Sequence, residues 1–144
     1  MHENIDSRPN RRFKPIKWSE LHQLPKREYL IKHLLDRSGT SVIFGESNCG
    51  KTFIALDLAL HIIKDKPWQN HKVCTSAVVY VATEGGLGLK ERLDAFRWHN
   101  KCNEDGEFYL IPTSIDLCNS QKDTQELVQE ISSIPKLGAV YKVA

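Results

Sequence analysis

Thr40-Ser41-Val42-Ile43-Phe44, then Gly45-Glu46-Ser47-Asn48-Cys49-Gly50-Lys51-Thr52, then Phe53-Ile54-Ala55-Leu56-Asp57-Leu58-Ala59-Leu60-His61-Ile62-Ile63: this stretch decides the fold. Its middle segment fulfils every specified position of G-x-x-x-x-G-K-[ST]. The first segment, β-branched and aromatic, predicts a buried strand. The last, apolar on nearly every face, predicts a buried helix. A glycine turn before an ordinary helix would satisfy the regular expression alone. A strand on one flank and a helix on the other favour a phosphate loop.

Such a loop needs donors and positive charge that do not compete with bulk water. Backbone N–H groups from Gly45 to Gly50 are expected to form an anion nest at a helix N-terminus, where the helix dipole adds to the attraction. Lys51 is the point charge for the β- and γ-phosphates, and the Thr52 hydroxyl the ligand for Mg²⁺. The nucleotide-binding set is therefore Gly45, Glu46, Ser47, Asn48, Cys49, Gly50, Lys51 and Thr52. No side-chain chemistry is assigned to Glu46 or Cys49.

The chain has 144 residues, 40% apolar and 26% charged, which fits one globular domain and excludes wholesale disorder. No apolar run approaches the roughly 20 residues of a membrane span, and no secretory h-region is evident. Cys49, Cys74, Cys102 and Cys118 lie far apart, so neither a zinc site nor a dense disulfide framework is expected, and a cytoplasmic protein with reduced thiols is. Among the scattered histidines, His61 on the loop helix is expected to be packed or hydrogen-bonded rather than catalytic. Charge is uneven. Residues 1–17 carry Arg8, Arg11, Arg12, Lys14 and Lys17 against Glu3 and Asp6, a net of +3 against +2 for the whole chain. A short basic arm can contact nucleic-acid phosphates, but a solvated, disordered leader is the expectation for 1–17, with the folded core over 18–144.

Beyond the leader, Trp18 to Arg37 predicts short helical pieces, with Ser19 as a cap and Leu30, Ile31, Leu34 and Leu35 sharing a helical face. Ala77-Val78-Val79-Tyr80-Val81-Ala82 predicts an interior parallel strand. A helix is predicted from about Leu87 to His99, with Leu89, Leu93 and Phe96 inward and Lys90, Glu91, Arg92 and Asp94 toward water. Phe108–Ile111 predicts a strand, and Ser120-Gln121-Lys122-Asp123 a capping box opening a helix with Leu127, Val128, Ile131 and Ile134 on one face. Leu137 to Ala144 predicts a last strand. Alternating strands and helices predict an α/β fold with a parallel sheet covered on both faces. Ligands of such sheets bind at the carboxyl ends of the strands, which places Gly45–Thr52 and Thr83–Gly86 at one edge. There Glu84 is open to two readings: a carboxylate that orients or deprotonates the attacking water, or an ordinary loop or helix-capping glutamate.

Several segments together resemble a known family. They are Tyr29-Leu30-Ile31-Lys32-His33-Leu34-Leu35, Val42-Ile43-Phe44-Gly45 with the phosphate loop, Ala55-Leu56-Asp57-Leu58-Ala59, Pro67-Trp68, and Val79-Tyr80-Val81-Ala82-Thr83-Glu84-Gly85 with Leu89 and Arg92-Leu93. From about Phe13 to Phe96 the chain resembles the RepA-like branch of RecA/DnaB-type P-loop ATPases, which includes plasmid and phage hexameric replicative helicases. The resemblance implies a RecA-like core, ATP with Mg²⁺, assembly into a homo-oligomeric ring, single-stranded DNA as a partner and a role in DNA replication or remodelling. It also implies that Glu84 is the catalytic glutamate, acting with Lys51. Arg92 is left between two readings, beside the nucleotide or on the surface.

The resemblance breaks at the last predicted strand. Leu137-Gly138-Ala139-Val140-Tyr141-Lys142-Val143-Ala144 holds no Asp or Glu where the family carries its Walker B acid. The chain is therefore expected to be an N-terminal portion of such an ATPase. Two other readings compete with an ATP-binding helicase module. A small P-loop kinase would need an arginine-rich lid, and after Gly88 only Arg92 and Arg97 stand. A non-catalytic remnant that binds nucleotide and pairs with an intact homologue is the other.

Overall fold

The computed structural model describes residues 14–82, 86–101 and 106–143. A 3₁₀ turn (Trp18–Gln23) leads to a hairpin of β1 (Tyr29–Ile31) and β2 (Leu35–Asp36). Then follow α1 (Lys51–Lys64), β3 (Ala77–Ala82), α2 (Gly86–Asn100), β4 (Phe108–Ile111), α3 (Gln121–Ser132) and β5 (Leu137–Val143). β3, β4 and β5 form one parallel sheet in the order β4-β3-β5. The architecture is α/β, a parallel sheet flanked by helices, as the alternating pattern predicts.

β3 is the centre of the core. Ala77, Val78, Val79, Tyr80, Val81 and Ala82 are all buried, so both faces of the strand are out of water. That is why its sequence is continuously apolar rather than alternating. α1 covers one face. Its Ala55 and Leu56 pack with Tyr80 and Ala82, while Leu58, Ala59 and Ile62 pack with Val78. Early α1 residues thus meet late β3 residues, so the helix runs antiparallel to the strand. The consequence for function is direct: the start of α1 lies at the carboxyl end of β3. On the partner strand, Gly138 passes so close to Ser76 and Leu30 that a Cβ there would overlap them.

The other helices form as their patterns predict. On α2, Leu89 is buried while Lys90 pairs with Asp94 at 2.8 Å on the wet side. Ser120 caps α3: its Oγ accepts from the Asp123 N–H at 3.1 Å and donates to Asp123 Oδ1 at 2.7 Å. Among the described residues no helix is long and apolar enough to cross a membrane.

Three expectations are corrected. The opening turn is closed by Glu20, whose carboxylate faces the Lys17 N–H, and not by Ser19. Residues 29–36 form a hairpin and not a helix. Leu30 and Ile31 are adjacent and both buried, which one helical face cannot achieve as well as a strand held on two sides. The two sides are β2 and the 72–74 segment, through Lys32 N–H to Lys72 O and Cys74 N–H to Leu30 O, each 2.8 Å. His33, at φ 65, turns the chain. Arg27 clamps the hairpin from outside, its Nε donating to Asp36 Oδ1 at 2.9 Å.

The third correction concerns Thr40–Phe44, which is not a strand. Val42, Ile43 and Phe44 are 78%, 45% and 91% exposed. A strand needs a neighbour's edge to satisfy its backbone. Here Ser41 and Ile43 face β5 across a cavity of about 350 Å³. The apolar run therefore lies beside the sheet without joining its ladder.

Two buried hydroxyls lack partners among the described residues: Tyr80 and Tyr141, stacked with ring centroids 6.4 Å apart. Burial pushes Tyr141 up to about 12. Its folded pKa lies above the unfolded value near 10, so its contribution to stability is full below about pH 10 and is lost as pH rises toward 12. Comparing denaturant melts of the unaltered chain and Tyr141→Phe should show near-equal stability at pH 7. Between about pH 10 and 12 the unaltered chain should lose about 2 kcal/mol relative to the variant. Parallel alkaline profiles would contradict this placement of the hydroxyl.

Candidate functional site

The chain turns between Gly45 and Gly50, the Cys49 N–H donating to Glu46 O at 3.4 Å, and enters α1 at Lys51. Asn48 (φ 63) and Gly50 (φ 91, ψ 12) are both left-handed, and Gly50 is the N-cap of α1. Alternating hand turns successive N–H groups toward one side, the geometry of an anion nest. Asn tolerates this region better than most residues, and Gly occupies it without strain. A Cβ on Gly50 would meet nothing within 4 Å, so the demand there is torsional. At Gly45 the demand is spatial: a Cβ would stand 2.8 Å from Cys49 Sγ.

Lys51 is held over this loop. Its Nζ donates to the carbonyls of Gly45 at 2.9 Å and Glu46 at 2.8 Å. An ammonium has three protons, so two bonds leave one donor and the full positive charge for an incoming anion. The first intrahelical bond runs from the Ile54 N–H to Gly50 O at 3.1 Å. The N–H groups of Lys51, Thr52 and Phe53 therefore precede any intrahelical acceptor, and α1 has no side-chain cap to occupy them. Thr52 lies half-buried in this first turn, where a hydroxyl can reach a cation held by the same anion. Donor set, charge and hydroxyl fit a magnesium-bound polyphosphate. That is what a P-loop ATPase requires.

A family model described as AAA domain matches residues 7–141. The chain belongs to this family of AAA-type P-loop ATPases. The match covers the 3₁₀ turn, the hairpin, the phosphate loop and nearly all of the sheet of this AAA domain. No individual characterised protein and no solved structure gave a significant match.

The AAA domain brings together the loop residues read from the sequence, with Lys51 and Thr52 at the carboxyl end of β3. Glu84, the other candidate catalytic residue, lies outside the described residues, as do Thr83 and Gly85. His61 is a packed residue. Its Nδ1 lies 2.7 Å from the Asp57 carbonyl, the Nδ1–H tautomer donating, and its ring meets Phe96 edge-on. Asp57 in turn accepts from Trp68 Nε1 at 2.7 Å, which ties the Pro67-Trp68 turn to α1.

One feature escapes a sequence reading. Phe53, expected to be buried with the rest of its helix, is 61% exposed, and the Arg92 guanidinium lies over its ring at 4.7 Å. Only the packing of α2 on α1 brings these distant positions together, and no local spacing signals it.

The two glycines make a paired test. Gly45→Ala should cost about 1 kcal/mol through its contact with Cys49, and Cys49→Ala in the same chain should recover most of that. Gly50→Ala should cost about 1–2 kcal/mol through backbone strain, with no recovery from Cys49→Ala. Thermal melts of the set decide it, and equal rescue of both would contradict the loop geometry.

Proposed function

We propose that this AAA domain is the ATP-binding module of a RepA-like, helicase-type ATPase that works in DNA replication or remodelling. The observation that carries the binding step is Lys51, bonded to the carbonyls of Gly45 and Glu46 at the open N-terminus of α1. In this reading the loop amides and Lys51 hold the β- and γ-phosphates, and Thr52 offers its hydroxyl to the metal. Mg²⁺, when bound, neutralises charge across the phosphate oxygens. Glu84, two positions past Ala82 in the sequence, is assigned the water-positioning role on the family resemblance. Single-stranded DNA as a partner and a homo-oligomeric ring rest on the same resemblance.

Binding is tested by linkage. Mg·ATP at about 100 times its Kd should stabilise the folded chain by about 2.7 kcal/mol, because it binds the native state alone. Lys51→Ala deletes the charge facing the phosphates and should remove most of the rise in melting temperature. An unchanged shift in Lys51→Ala would contradict the assignment.

Turnover is a separate matter. β5 carries no carboxylate from Leu137 to Val143, and Lys142 stands opposite Val81 in the ladder. Phosphoryl transfer depends on positioning and on metal-borne charge stabilisation, and β5 offers the metal no carboxylate. This chain is therefore expected to bind ATP while releasing phosphate hardly above background, with little stimulation by single-stranded DNA. This favours a nucleotide-binding role over independent catalysis. A steady-state phosphate-release assay with Glu84→Gln as control decides it. Robust DNA-stimulated turnover that disappears in Glu84→Gln would restore an autonomous ATPase.

A further inference from the structure

Positive charge is concentrated at one end of this chain. Residues 8–27 carry seven Lys and Arg against one acid, Glu20, while the rest of the chain carries 13 against 17. A polyanion approaching the molecule is steered toward that segment. From Lys14 to Glu28 every residue is exposed, and the 3₁₀ turn Trp18–Gln23 within it buries none of its side chains. Trp18 opens the turn and is 90% exposed.

We propose that this basic arm is a binding site for single-stranded nucleic acid, with Trp18 stacking on a base and Lys14, Lys17 and Lys26 meeting the phosphates. It rests on the proposed function for the partner's class and gives that partner a place on the chain. It uses no part of the phosphate loop.

Three observations carry it. First, the arm is ordered where Trp18 stands. The Glu20 N–H donates to Lys17 O at 2.9 Å and the Leu24 N–H to Leu21 O at 3.2 Å. At the root, Arg27 is bonded to Asp36 and lies 5.4 Å from the centre of the Tyr29 ring. The ring of Trp18 is thus presented to water on a fixed turn, with no role in the core. Base–aromatic stacking needs such a face and tolerates any sequence.

Second, the arm's own pairings leave its lysines outward. Glu20 turns back to accept from the Lys17 N–H at 3.5 Å, and Arg27 is committed to Asp36. Lys14 and Lys17 precede the ring and Lys26 follows it, a spread of cations along one strand-like path. Third, Pro15 and Pro25 interrupt the segment, and the turn between them is six residues long. A long amphipathic helix lying on a bilayer cannot form across them. A line of phosphates with splayed bases fits a short turn and an extended basic flank.

The test is fluorescence anisotropy of the full chain with a labelled oligothymidylate of about 20 nucleotides, beside an abasic strand of equal length. Affinity for both should fall with salt, the logarithmic slope being roughly −0.7 for each cation engaged and so at least about −2 for the three lysines. Trp18→Ala should weaken the oligothymidylate about tenfold and the abasic strand less than about twofold, and Trp18→Phe should recover most of the loss. Lys17→Gln should weaken both strands alike and reduce the slope by about 0.7. Melting temperatures of these variants should match the unaltered chain, since neither side chain supports the core. Lys51→Ala should bind both strands normally, which keeps this site separable from the phosphate loop. Strand binding that ignores Trp18 and Lys17 would keep the nucleic-acid partner and overturn the arm as its site. No strand binding even at low salt would overturn both. Trp18-dependent binding to phosphatidylserine–phosphatidylcholine vesicles, with none to the strands, would overturn the proposal in favour of lipid.

Discussion

Burial of α1 against β3 is the constraint on which the rest of the structure depends. Ala55 and Leu56 meet Tyr80 and Ala82, and Leu58, Ala59 and Ile62 meet Val78. That pairing fixes the direction of the helix, and the direction fixes the position of its N-terminus. The loop amides, Lys51 and Thr52 reach the carboxyl edge of the sheet because apolar groups one to three turns away are out of water. At roughly 25 cal/mol per Å² of apolar surface, such a seam outweighs the strain of the left-handed Asn48 in the loop. The loop Gly45–Thr52 is positioned by the core, and among the described residues it makes no hydrogen bond to the sheet.

The same logic explains which parts of the chain were legible. β3 was readable because a central strand, buried on both faces, must be continuously apolar. Ser120 and Asp123 announced α3 through a local hydrogen-bond exchange that needs no tertiary context. Leu30 and Ile31 misled because two adjacent apolar residues fit either a helical face or a strand with both sides occupied. What settled the choice was the backbone pairing of Leu30 and Lys32 with the 72–74 segment, a contact some forty residues away in sequence. Thr40–Phe44 misled in the opposite sense. Its composition favours a strand, but β-propensity reports fit to a pleated surface, and its residues stand off from β5 across open space.

The glycine-lysine loop was legible as a motif because its pattern is local: each specified position stands for a backbone angle, a charge or a hydroxyl within eight consecutive residues. The pairing of Arg92 with Phe53 was not, since it arises from helix–helix packing. The AAA-domain match over residues 7–141 carries the family but does not choose among its activities. That choice turns on chemistry at the carboxyl edge of the sheet, where β5 carries Lys142 and no carboxylate from Leu137 to Val143.

The central claim is that the loop N–H groups at the start of α1 receive a polyphosphate. Amide hydrogen exchange, read residue by residue with and without Mg·ATP, tests it most directly. Protection rising at Gly50, Lys51, Thr52 and Phe53, with the β1–β2 hairpin and α3 unchanged, is the predicted result. Unaltered exchange at those four amides under saturating Mg·ATP, or protection centred on another part of the chain, would contradict it.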